Sequence, residues 1–394
     1  MENTNHTDIL KQNIKSDGNI GVRIKVAIIS DTMDRRPEKV LATKRLVQNL
    51  LKYPELEIYL IHYKKMLDEP LYQEVHEIII PRYSLPFGSQ FVSFVIFCLK
   101  TKEKFDIVHW LVPRIFPFFW LFPAKKKIIM AHDGYIGVWT LANTIFWFTI
   151  RFFSRYIDAI IGVTEYAKKE IMRTYHIPES KAFTIYNGLD PEFHPVPEIT
   201  AREVLKKYNI YTDKYLLYVG GLVTHKNVPR LILAYDLLRK REPAVKEKLI
   251  IIGKASLGAE EIKNVVKEAE YSKDIIFISY VPPVDIPAFY SLATALILVS
   301  LNEGFGMPIA EGMACGTPVI TSNMSAMPEA GGGAAILVDP YNIEDIMMAM
   351  KRIVGDESLR KQLIAKGLER VKTFSWKRYA EESLKIYKKT LNYK

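Results

Sequence analysis

Two glutamates in a glycine-containing segment, Glu303 and Glu311, combine a residue type and a spacing that suit ligand binding. The segment Ser300-Leu-Asn-Glu-Gly-Phe-Gly-Met-Pro-Ile-Ala-Glu311 follows a predicted strand and opens a helix at Met307-Pro308, because proline suits the first helical turn. Both glutamates then face one ligand at different heights. A carboxylate accepts hydrogen bonds from vicinal hydroxyls, so one acid can hold a sugar and the other a ribose. Taken alone, the pair also fits a helix charge partner and a solvated helix residue.

The start of that helix is itself a candidate anion site. The first turn of a helix presents free backbone N–H groups and a partial positive charge of about half a unit. Oxygens of a phosphate or a sugar fit such a site.

A lysine beside a second glycine turn is the candidate phosphate ligand. In Tyr218-Val-Gly-Gly-Leu-Val-Thr-His-Lys-Asn-Val-Pro-Arg230 a predicted strand ends in glycines and a helix begins after Asn227. Lys226 lies near the helix start, where a cation opposes the dipole but would neutralise a diphosphate. The alternative is a surface lysine, and His225 either assists or caps the helix.

A histidine and an aspartate follow a predicted strand in the N-terminal half, at Ala131-His132-Asp133. A histidine at the carboxyl end of a strand is suited to hydrogen bonding or proton transfer. A lone His-Asp pair is more often structural, so the two residues by themselves leave both interpretations open.

Short apolar runs that alternate with helical patterns must position these groups. Continuous β-branched runs predict parallel strands covered on both faces, and the alternation predicts right-handed βαβ units. The predicted strands are 25–29, 57–61, 77–80, 107–109, 127–130, 159–163, 215–219, 248–252, 275–278, 295–299 and 318–321, with a helix at about 228–241.

Three prolines in 190–198 interrupt the alternation before it restarts. We therefore predict an α/β protein with two doubly wound domains whose strand ends face a cleft. Residues 1–21 are expected to be a disordered lead, 22–190 the N-terminal domain and 191–374 the C-terminal domain. Residues 375–394 are expected to form a helix, capped by Ser375, that packs back toward the N-terminal domain.

Composition narrows the functional class. A chain of 394 residues suits two domains, and its two cysteines cannot form a disulfide framework. The polar N-terminus lacks the apolar segment of a secretory signal, so a cytoplasmic location is expected. The net charge of +10 indicates an anionic partner, but no nucleic-acid-binding signature is present.

Two aromatic stretches beside cations suggest contact with an anionic membrane surface. Residues 115–123 run into three lysines, and residues 144–155 mix aromatics with Arg151 and Arg155. Interfacial membrane contacts use such mixtures. A buried helix packed under a sheet explains them equally well, and no apolar run is long enough for a transmembrane helix.

From about Lys25 to Trp376 the chain resembles the retaining glycosyltransferases of family 4, which have the GT-B fold of two facing Rossmann-like domains. The resemblance rests on Glu303 and Glu311 at the two ends of the family's E-x7-E signature, with the Gly-Phe-Gly-Met-Pro turn intact and Met-Ala-Cys-Gly-Thr-Pro following. It implies transfer of a hexose from a UDP- or GDP-sugar co-substrate to a saccharide or lipid-linked saccharide, in the synthesis of a glycan or cell-envelope polysaccharide.

The resemblance also implies a role for each matching residue. Glu303 would contact the donor sugar, Glu311 the ribose and Lys226 the phosphates, while His132 and Asp133 would lie near the reacting sugar. The other implied donor-binding residues are Gly220, Gly221, His225, Gly253, Lys254, Tyr280, Val281, Gly304, Phe305, Gly306 and Met307.

This sequence departs from the family pattern in two places. The arginine that relatives carry near the phosphate lysine is replaced, since those positions hold Gly221 and His225. The glycine-rich loop that relatives carry after the first strand is here Ser30-Asp-Thr-Met-Asp-Arg-Arg-Pro-Glu38. Either Arg35 and Arg36 replace backbone contacts by charge, or this loop serves the acceptor.

We expect catalysis without a metal or other cofactor. No two aspartates are separated by a single residue, so the sequence has no Asp-x-Asp metal-binding motif. Lys226 and helix N-termini would then neutralise the diphosphate. No evident nucleophile flanks the anomeric carbon, which favours same-face attack. The rival interpretations are a sugar phosphorylase of the same fold and a non-catalytic, basic nucleotide- or nucleic-acid-binding protein.

Overall fold

A computed structural model describes residues 23–30, 37–63, 70–81, 89–111, 118–131, 148, 151–212, 214–254 and 258–392 of the chain. Two compact units make up the molecule. The first comprises Met1–Ile129, Tyr156–Asp158 and Leu384–Lys394, and the second comprises Met130–Arg155 and Ala159–Ser383. The predicted domain boundaries and the cleft between the two domains stay predictions.

The strands lie close to the positions predicted from the apolar runs. They are β1 (Ile24–Ile29), β2 (Leu56–His62), β3 (His76–Ile79), β4 (Phe105–Trp110), β5 (Ala124–Ala131), β6 (Ala159–Gly162), β7 (Ala182–Thr184), β8 (Tyr215–Val219), β9 (Lys248–Ile252), β10 (Ile275–Ile278), β11 (Ala295–Leu298), β12 (Val319–Ser322) and β13 (Ala335–Val338). Sequence patterns missed β7 and β13. Strand β7 (Ala-Phe-Thr) has only three residues and ends in a polar one, whereas β13 (Ala-Ile-Leu-Val) is a short apolar run that the sequence did contain.

Within the described residues these strands form two sheets. A seven-stranded sheet has the order β3-β2-β1-β4-β5-β6-β7, and a six-stranded sheet has the order β10-β9-β8-β11-β12-β13. All neighbours in the six-stranded sheet pair in parallel. The strand order reverses at β1/β4 and again at β8/β11. Doubly wound sheets bind ligands beyond the carboxyl ends of their strands at such a switch point.

Most of the helices lie between consecutive strands, and the last three follow the final strand. They are α1 (Pro37–Leu50), α2 (Ser89–Lys100), α3 (Glu165–Tyr175), α4 (Glu198–Lys206), α5 (Val228–Arg241), α6 (Ala259–Glu268), α7 (Ile286–Leu292), α8 (Met307–Ala314), α9 (Met327–Gly331), α10 (Ile343–Gly355), α11 (Glu357–Arg370) and α12 (Trp376–Thr390). The predicted helix at about 228–241 is confirmed as α5. Among the helices described here, each is too short or too polar to cross a membrane.

Helix α12 begins where the sequence predicts. The N–H of Arg378 donates to Ser375 Oγ at 3.4 Å, and the N–H of Tyr379 donates to the Ser375 carbonyl at 2.8 Å. The serine side chain thus accepts from an N–H of the first turn, which has no partner inside the helix.

The core beneath the six-stranded sheet is apolar on both faces. Residues 215–218 of β8 and 249–251 of β9 are almost fully buried, as are Leu231 and Tyr235 of α5. A sheet covered by helices on both faces explains the nearly continuous apolar runs. Such a core holds the polar strand ends in fixed positions.

Candidate functional site

The predicted donor-binding residues gather at the carboxyl ends of four neighbouring strands. The N–H of Gly220 after β8 donates to Ile252 O of β9 at 3.0 Å, and the N–H of Gly253 after β9 donates to Ile278 O of β10 at 2.9 Å. The N–H of Leu222 then donates to Lys254 O at 3.1 Å. The strand-end loops are therefore tied to one another as extensions of the sheet.

Gly253 is a glycine because another backbone approaches it. A Cβ at this position would lie 1.8 Å from the carbonyl oxygen of Gly220, far inside the van der Waals contact distance. The backbones that follow β8 and β9 are therefore in direct contact at this point. By contrast, a Cβ at Gly221 would meet no heavy atom within 4 Å.

Lys226 and Glu303 form an ion pair beyond the switch point. Lys226 lies in a 3₁₀ turn (Thr224–Lys226) after β8, and Glu303 lies in the loop after β11, the neighbouring strand. The N–H of Leu301 donates to His225 O at 2.8 Å and joins the two loops. Lys226 Nζ donates to Glu303 Oε1, and the two side chains are only 15% and 12% exposed.

Two serines hold Glu303 in place. Ser300 Oγ donates to Glu303 Oε1 at 2.8 Å, so one carboxylate oxygen accepts from both the serine and the lysine. The N–H of Glu303 donates to Ser325 Oγ at 3.2 Å, which fixes its backbone. Glu303 is thus oriented by contacts at its backbone and at one carboxylate oxygen.

The turn that follows Glu303 starts helix α8 in a strained conformation that only glycine adopts readily. Gly306 precedes α8 with a φ of 88°, in the region that side chains disfavour. Pro308 lies within the first turn, as predicted. The free N–H groups of the first turn and the positive end of the helix dipole therefore lie beside Glu303 and Lys226.

The same turn is held by the N-cap residue and the first turn of helix α3. Thr164 Oγ1 donates to Gly304 O at 2.8 Å and also accepts from the N–H of Ala167 at 3.0 Å, capping α3. Tyr166 Oη donates to Asn302 Oδ1 at 3.3 Å. All of these residues belong to the second compact unit. The start of α3 thus supports the backbone on either side of Glu303.

Glu329 of α9 completes this support. Its carboxylate accepts from the N–H of Glu165 at 2.7 Å and from the N–H of Tyr166 at 3.1 Å. A carboxylate at a helix N-terminus is stabilised both by these donors and by the dipole. On the other side of the turn, Phe305 packs edge-on against Phe374 with ring centroids 5.1 Å apart.

Glu311 projects from the second turn of α8 into a poorly solvated environment. Tyr290 Oη donates to Glu311 Oε2 at 2.8 Å. Burial raises the pKa of Glu311 from 4.5 to about 7, against the opposing effects of the Tyr290 hydrogen bond and the charge of Lys226. Glu311 is therefore neither a solvated helix residue nor an ion-pair partner. A desolvated carboxylate of this kind is typical of functional sites.

The remaining predicted donor residues border these groups. Tyr280 is 58% exposed and Val281 is buried, both just beyond the end of β10. His225 and Lys254 are exposed at the strand-end loops. Four predicted residues, His132, Asp133, Arg35 and Arg36, lie outside the described residues, so their placement stays a prediction.

Sequence reasoning gave no role to Ser300, Tyr290, Ser325 and Glu329. For Ser300 the sequence did contain an indication, since this serine follows a predicted strand and lies three residues before Glu303. Sequence reasoning assigned no role to Thr164 either. For Tyr290, Ser325 and Glu329, which act from other elements, no local pattern indicated the contact.

Two protein-family models match the chain and together span most of it. The model described as glycosyl transferases group 1 matches residues 201–370, which include Lys226, Glu303 and Glu311. The model described as glycosyltransferase family 4 matches residues 43–193.

Curated relatives share part of the sequence. O-antigen chain mannosyltransferase B of Escherichia coli is 31% identical over 229 residues, covering 58% of this chain and 60% of that protein. Serotype-specific mannosyltransferase WbdA of Escherichia coli is 26% identical over 240 residues, covering 59% of this chain and 29% of that protein. The matched regions thus span less than two thirds of each relative.

Solved structures share the fold over nearly the whole chain. Sucrose-phosphate synthase from Thermosynechococcus elongatus is 20% identical, with a TM-score of 0.72 over 94% of this chain and 100% of that one. HepE from Anabaena, solved in complex with UDP and glucose, is 13% identical, with a TM-score of 0.72 over 92% of this chain and 99% of that one. The chain belongs to the group 1 glycosyltransferases of family 4 and has the GT-B fold of two Rossmann-like sheets.

Proposed function

We propose that the protein is a retaining hexosyltransferase that takes a sugar from a UDP- or GDP-sugar. The observation that carries this proposal is the Lys226–Glu303 ion pair, two mostly shielded side chains beside the N-terminus of α8. A nucleotide sugar offers a partner to each group: phosphate oxygens for Lys226 and sugar hydroxyls for Glu303. Glu311, deeper along α8, is left to accept from the ribose hydroxyls.

The diphosphate is neutralised by the chain itself in this proposal. Lys226 supplies a full positive charge, and the first N–H groups of α8 supply donors and the positive end of a dipole. Both act on a leaving group whose negative charge grows as the glycosidic bond breaks. No metal or other cofactor is required for that step.

Sugar transfer proceeds with retention in this scheme. The bond between the anomeric carbon and the phosphate oxygen breaks, and a bond from the acceptor oxygen forms on the same face. The departing phosphate oxygen takes the proton of the acceptor hydroxyl. Glu303, held by Ser300 and by the turn, orients the sugar but does not attack it. His132 and Asp133 are proposed to contact the reacting sugar.

Mannose is the first sugar to test, with a saccharide or lipid-linked saccharide as acceptor. Two relatives carry the names O-antigen chain mannosyltransferase B and serotype-specific mannosyltransferase WbdA. These names support a role in the synthesis of a cell-envelope polysaccharide. Because HepE was solved in complex with UDP and glucose, UDP-glucose is the second donor to test.

A cytoplasmic, peripheral position on an anionic membrane is part of the proposal. Phe148 and Phe152 are 60% and 69% exposed, and the guanidinium of Arg155 lies 5.8 Å from the centre of the Phe152 ring. Exposed phenylalanines beside arginines suit insertion at the headgroup level of a bilayer. A lipid-linked acceptor would be reached from that position.

The test is a panel of UDP- and GDP-hexoses, first in thermal shift and then in turnover with a lipid-linked or soluble saccharide. A cognate donor raises the melting temperature, and the shift grows with the logarithm of the ratio of donor concentration to Kd once the donor is in excess of Kd. We expect release of a nucleoside diphosphate and, by NMR of the product, the anomeric configuration of the donor. An inverted product contradicts retention. If the protein instead consumes inorganic phosphate and a saccharide and releases a sugar 1-phosphate, it is a phosphorylase.

A further inference from the structure

Tyr290 stands out among the buried tyrosines beneath the six-stranded sheet. It lies on α7 and is fully buried, as are Tyr215 and Tyr235. Tyr215 Oη donates to the main-chain oxygen of Phe289 at 2.7 Å, and Tyr235 Oη donates to that of Glu247 at 2.9 Å. Tyr290 Oη instead donates to a side-chain carboxylate of the candidate site, Glu311 Oε2 at 2.8 Å.

The surroundings of Tyr290 fix the direction of its hydroxyl. Thr317 Oγ1 donates to the main-chain oxygen of Tyr290 at 2.7 Å, and Phe193 packs edge-on against the ring. A Cβ at Gly312 would lie 3.5 Å from the Tyr290 ring and 3.0 Å from Leu296, so this glycine lets α8 lie close to both. The hydroxyl therefore reaches Glu311 from a side chain that has little room to move.

The two oxygens of Glu311 have different environments. Oε2 accepts from Tyr290, whereas within the described part of the chain Oε1 has no hydrogen-bond donor. Glu311 keeps some contact with solvent. One oxygen is thus anchored by a buried hydroxyl, and the other is left without a donor from the described residues.

We infer that Tyr290 is a positioning residue for Glu311: its hydroxyl anchors one carboxylate oxygen so that the other is presented to the vicinal hydroxyls of the nucleotide ribose. The inference rests on the proposed function, because it assumes that Glu311 binds a nucleotide. It adds a residue from a different helix to the donor site. It also predicts a measurable dependence on pH.

The charges around Glu311 give the direction of that dependence. The titratable groups that act on it are Tyr290 of α7, Lys226 of the loop after β8 and Cys315 directly after α8. The pKa of Glu311 is about 7. The Tyr290 hydroxyl favours the charged form by donating to it. Without that hydroxyl, the pKa of Glu311 rises further and less of the group is ionised at neutral pH.

Tyr290→Phe tests the inference, with Tyr215→Phe as the matched control. Both changes remove one buried hydroxyl from the same core, but only the first touches Glu311. The affinities for UDP and GDP are measured by calorimetry between pH 6 and pH 9. We expect Tyr290→Phe to weaken binding about tenfold at pH 7, as the loss of a hydrogen bond to a charged group does. The difference in nucleotide affinity between the variant and the wild type should become smaller toward pH 9. The pH at the midpoint of the affinity profile should be higher in the variant than in the wild type.

A second background shows whether Tyr290 acts through Glu311. In Glu311→Gln the titrating group is gone, so adding Tyr290→Phe should leave the shape of the pH profile unchanged. A Tyr290→Phe profile that has the wild-type midpoint overturns the inference, as does a loss of affinity that is equal at every pH. So does a Tyr290→Phe variant that fails to fold while Tyr215→Phe folds, since Tyr290 is then structural.

The failure of the proposed function has a different signature. If the wild-type protein binds neither UDP nor GDP at any pH, the proposed donor class is wrong and the role of Tyr290 falls with it. If the wild-type protein binds one of them and only the predicted shift is missing, the proposed function stands and the inference alone is overturned.

Discussion

Lys226 and Glu303 are paired with each other, although they come from loops that follow different strands. Each side chain is mostly shielded from water, and Ser300 shares the same carboxylate oxygen. A ligand that draws Lys226 to a phosphate and Glu303 to a sugar breaks this ion pair. The two new contacts together must therefore outweigh the contact that is lost. The ion pair keeps both charges compensated until then.

Glu303→Gln should lower turnover sharply while the protein stays folded. The amide still accepts from Ser300 but cannot hold the sugar hydroxyls with a full charge, so we expect kcat to fall on the order of 100-fold. Release of the nucleoside diphosphate measures the effect. Glu344→Gln is the control, because Glu344 forms an exposed ion pair with Arg241 in the same unit and its loss should leave turnover unchanged. Wild-type turnover in Glu303→Gln removes this residue from the site.

Glu311→Gln should stabilise the ligand-free protein at alkaline pH and weaken nucleotide binding. Folding raises the pKa of Glu311 from 4.5 to about 7, so in that window the folded state binds more protons than the unfolded state. The free energy of unfolding therefore falls as the pH rises from 4.5 toward 7, and the loss is complete above it.

The neutral glutamine removes this loss. We expect a gain of about 3 kcal/mol at pH 8 and much less difference at pH 5, where the wild-type carboxyl is largely protonated. Urea unfolding at both pH values measures it. A variant less stable than wild type at pH 8 contradicts the assignment of Glu311 as a desolvated acid.

Gly253→Ala should destabilise the fold far more than Gly221→Ala. The added methyl group would lie 1.8 Å from the Gly220 carbonyl oxygen, so the ends of β8 and β9 must separate. We expect a loss of about 3 kcal/mol. At Gly221 the same methyl group meets open space and should change stability by about 0.5 kcal/mol or less. Thermal unfolding of the two variants measures the contrast, and equal stabilities contradict the close approach at Gly253.

Replacing Phe148 and Phe152 by serine should weaken binding to vesicles that contain anionic lipid. Two exposed aromatic side chains that insert at the headgroups contribute enough apolar burial for about a tenfold change in partitioning. Co-sedimentation with vesicles of phosphatidylglycerol and phosphatidylcholine measures it. Ile199→Ser is the control, because Ile199 is 76% exposed on α4. Equal sedimentation of wild type and the double variant excludes this contact.

Local patterns were sufficient for most elements of the fold. The apolar runs at 215–219, 248–252 and 275–278 became β8, β9 and β10 with the predicted bounds. For β8 and β9 the reason is that a strand covered on both faces is apolar along most of its length. Likewise Met307-Pro308 marked the start of α8, since proline suits the first helical turn. Strand β13 was missed although Ala335-Ile-Leu-Val338 is itself a continuous apolar run, because four apolar residues alone do not distinguish a strand from a segment of a buried helix.

The sequence by itself determined which residue types stand at the strand ends: glycines, Lys226, Glu303 and Glu311. A short stretch of sequence is enough for that, because a strand, a turn and the start of a helix are each indicated by residues adjacent in the chain. Only the tertiary structure decided that Lys226 pairs with Glu303, that Tyr290 reaches Glu311 and that Thr164 holds the turn after Glu303. These contacts join residues far apart in the chain, and sheet order, which brings β8 beside β11, depends on the packing of the whole core.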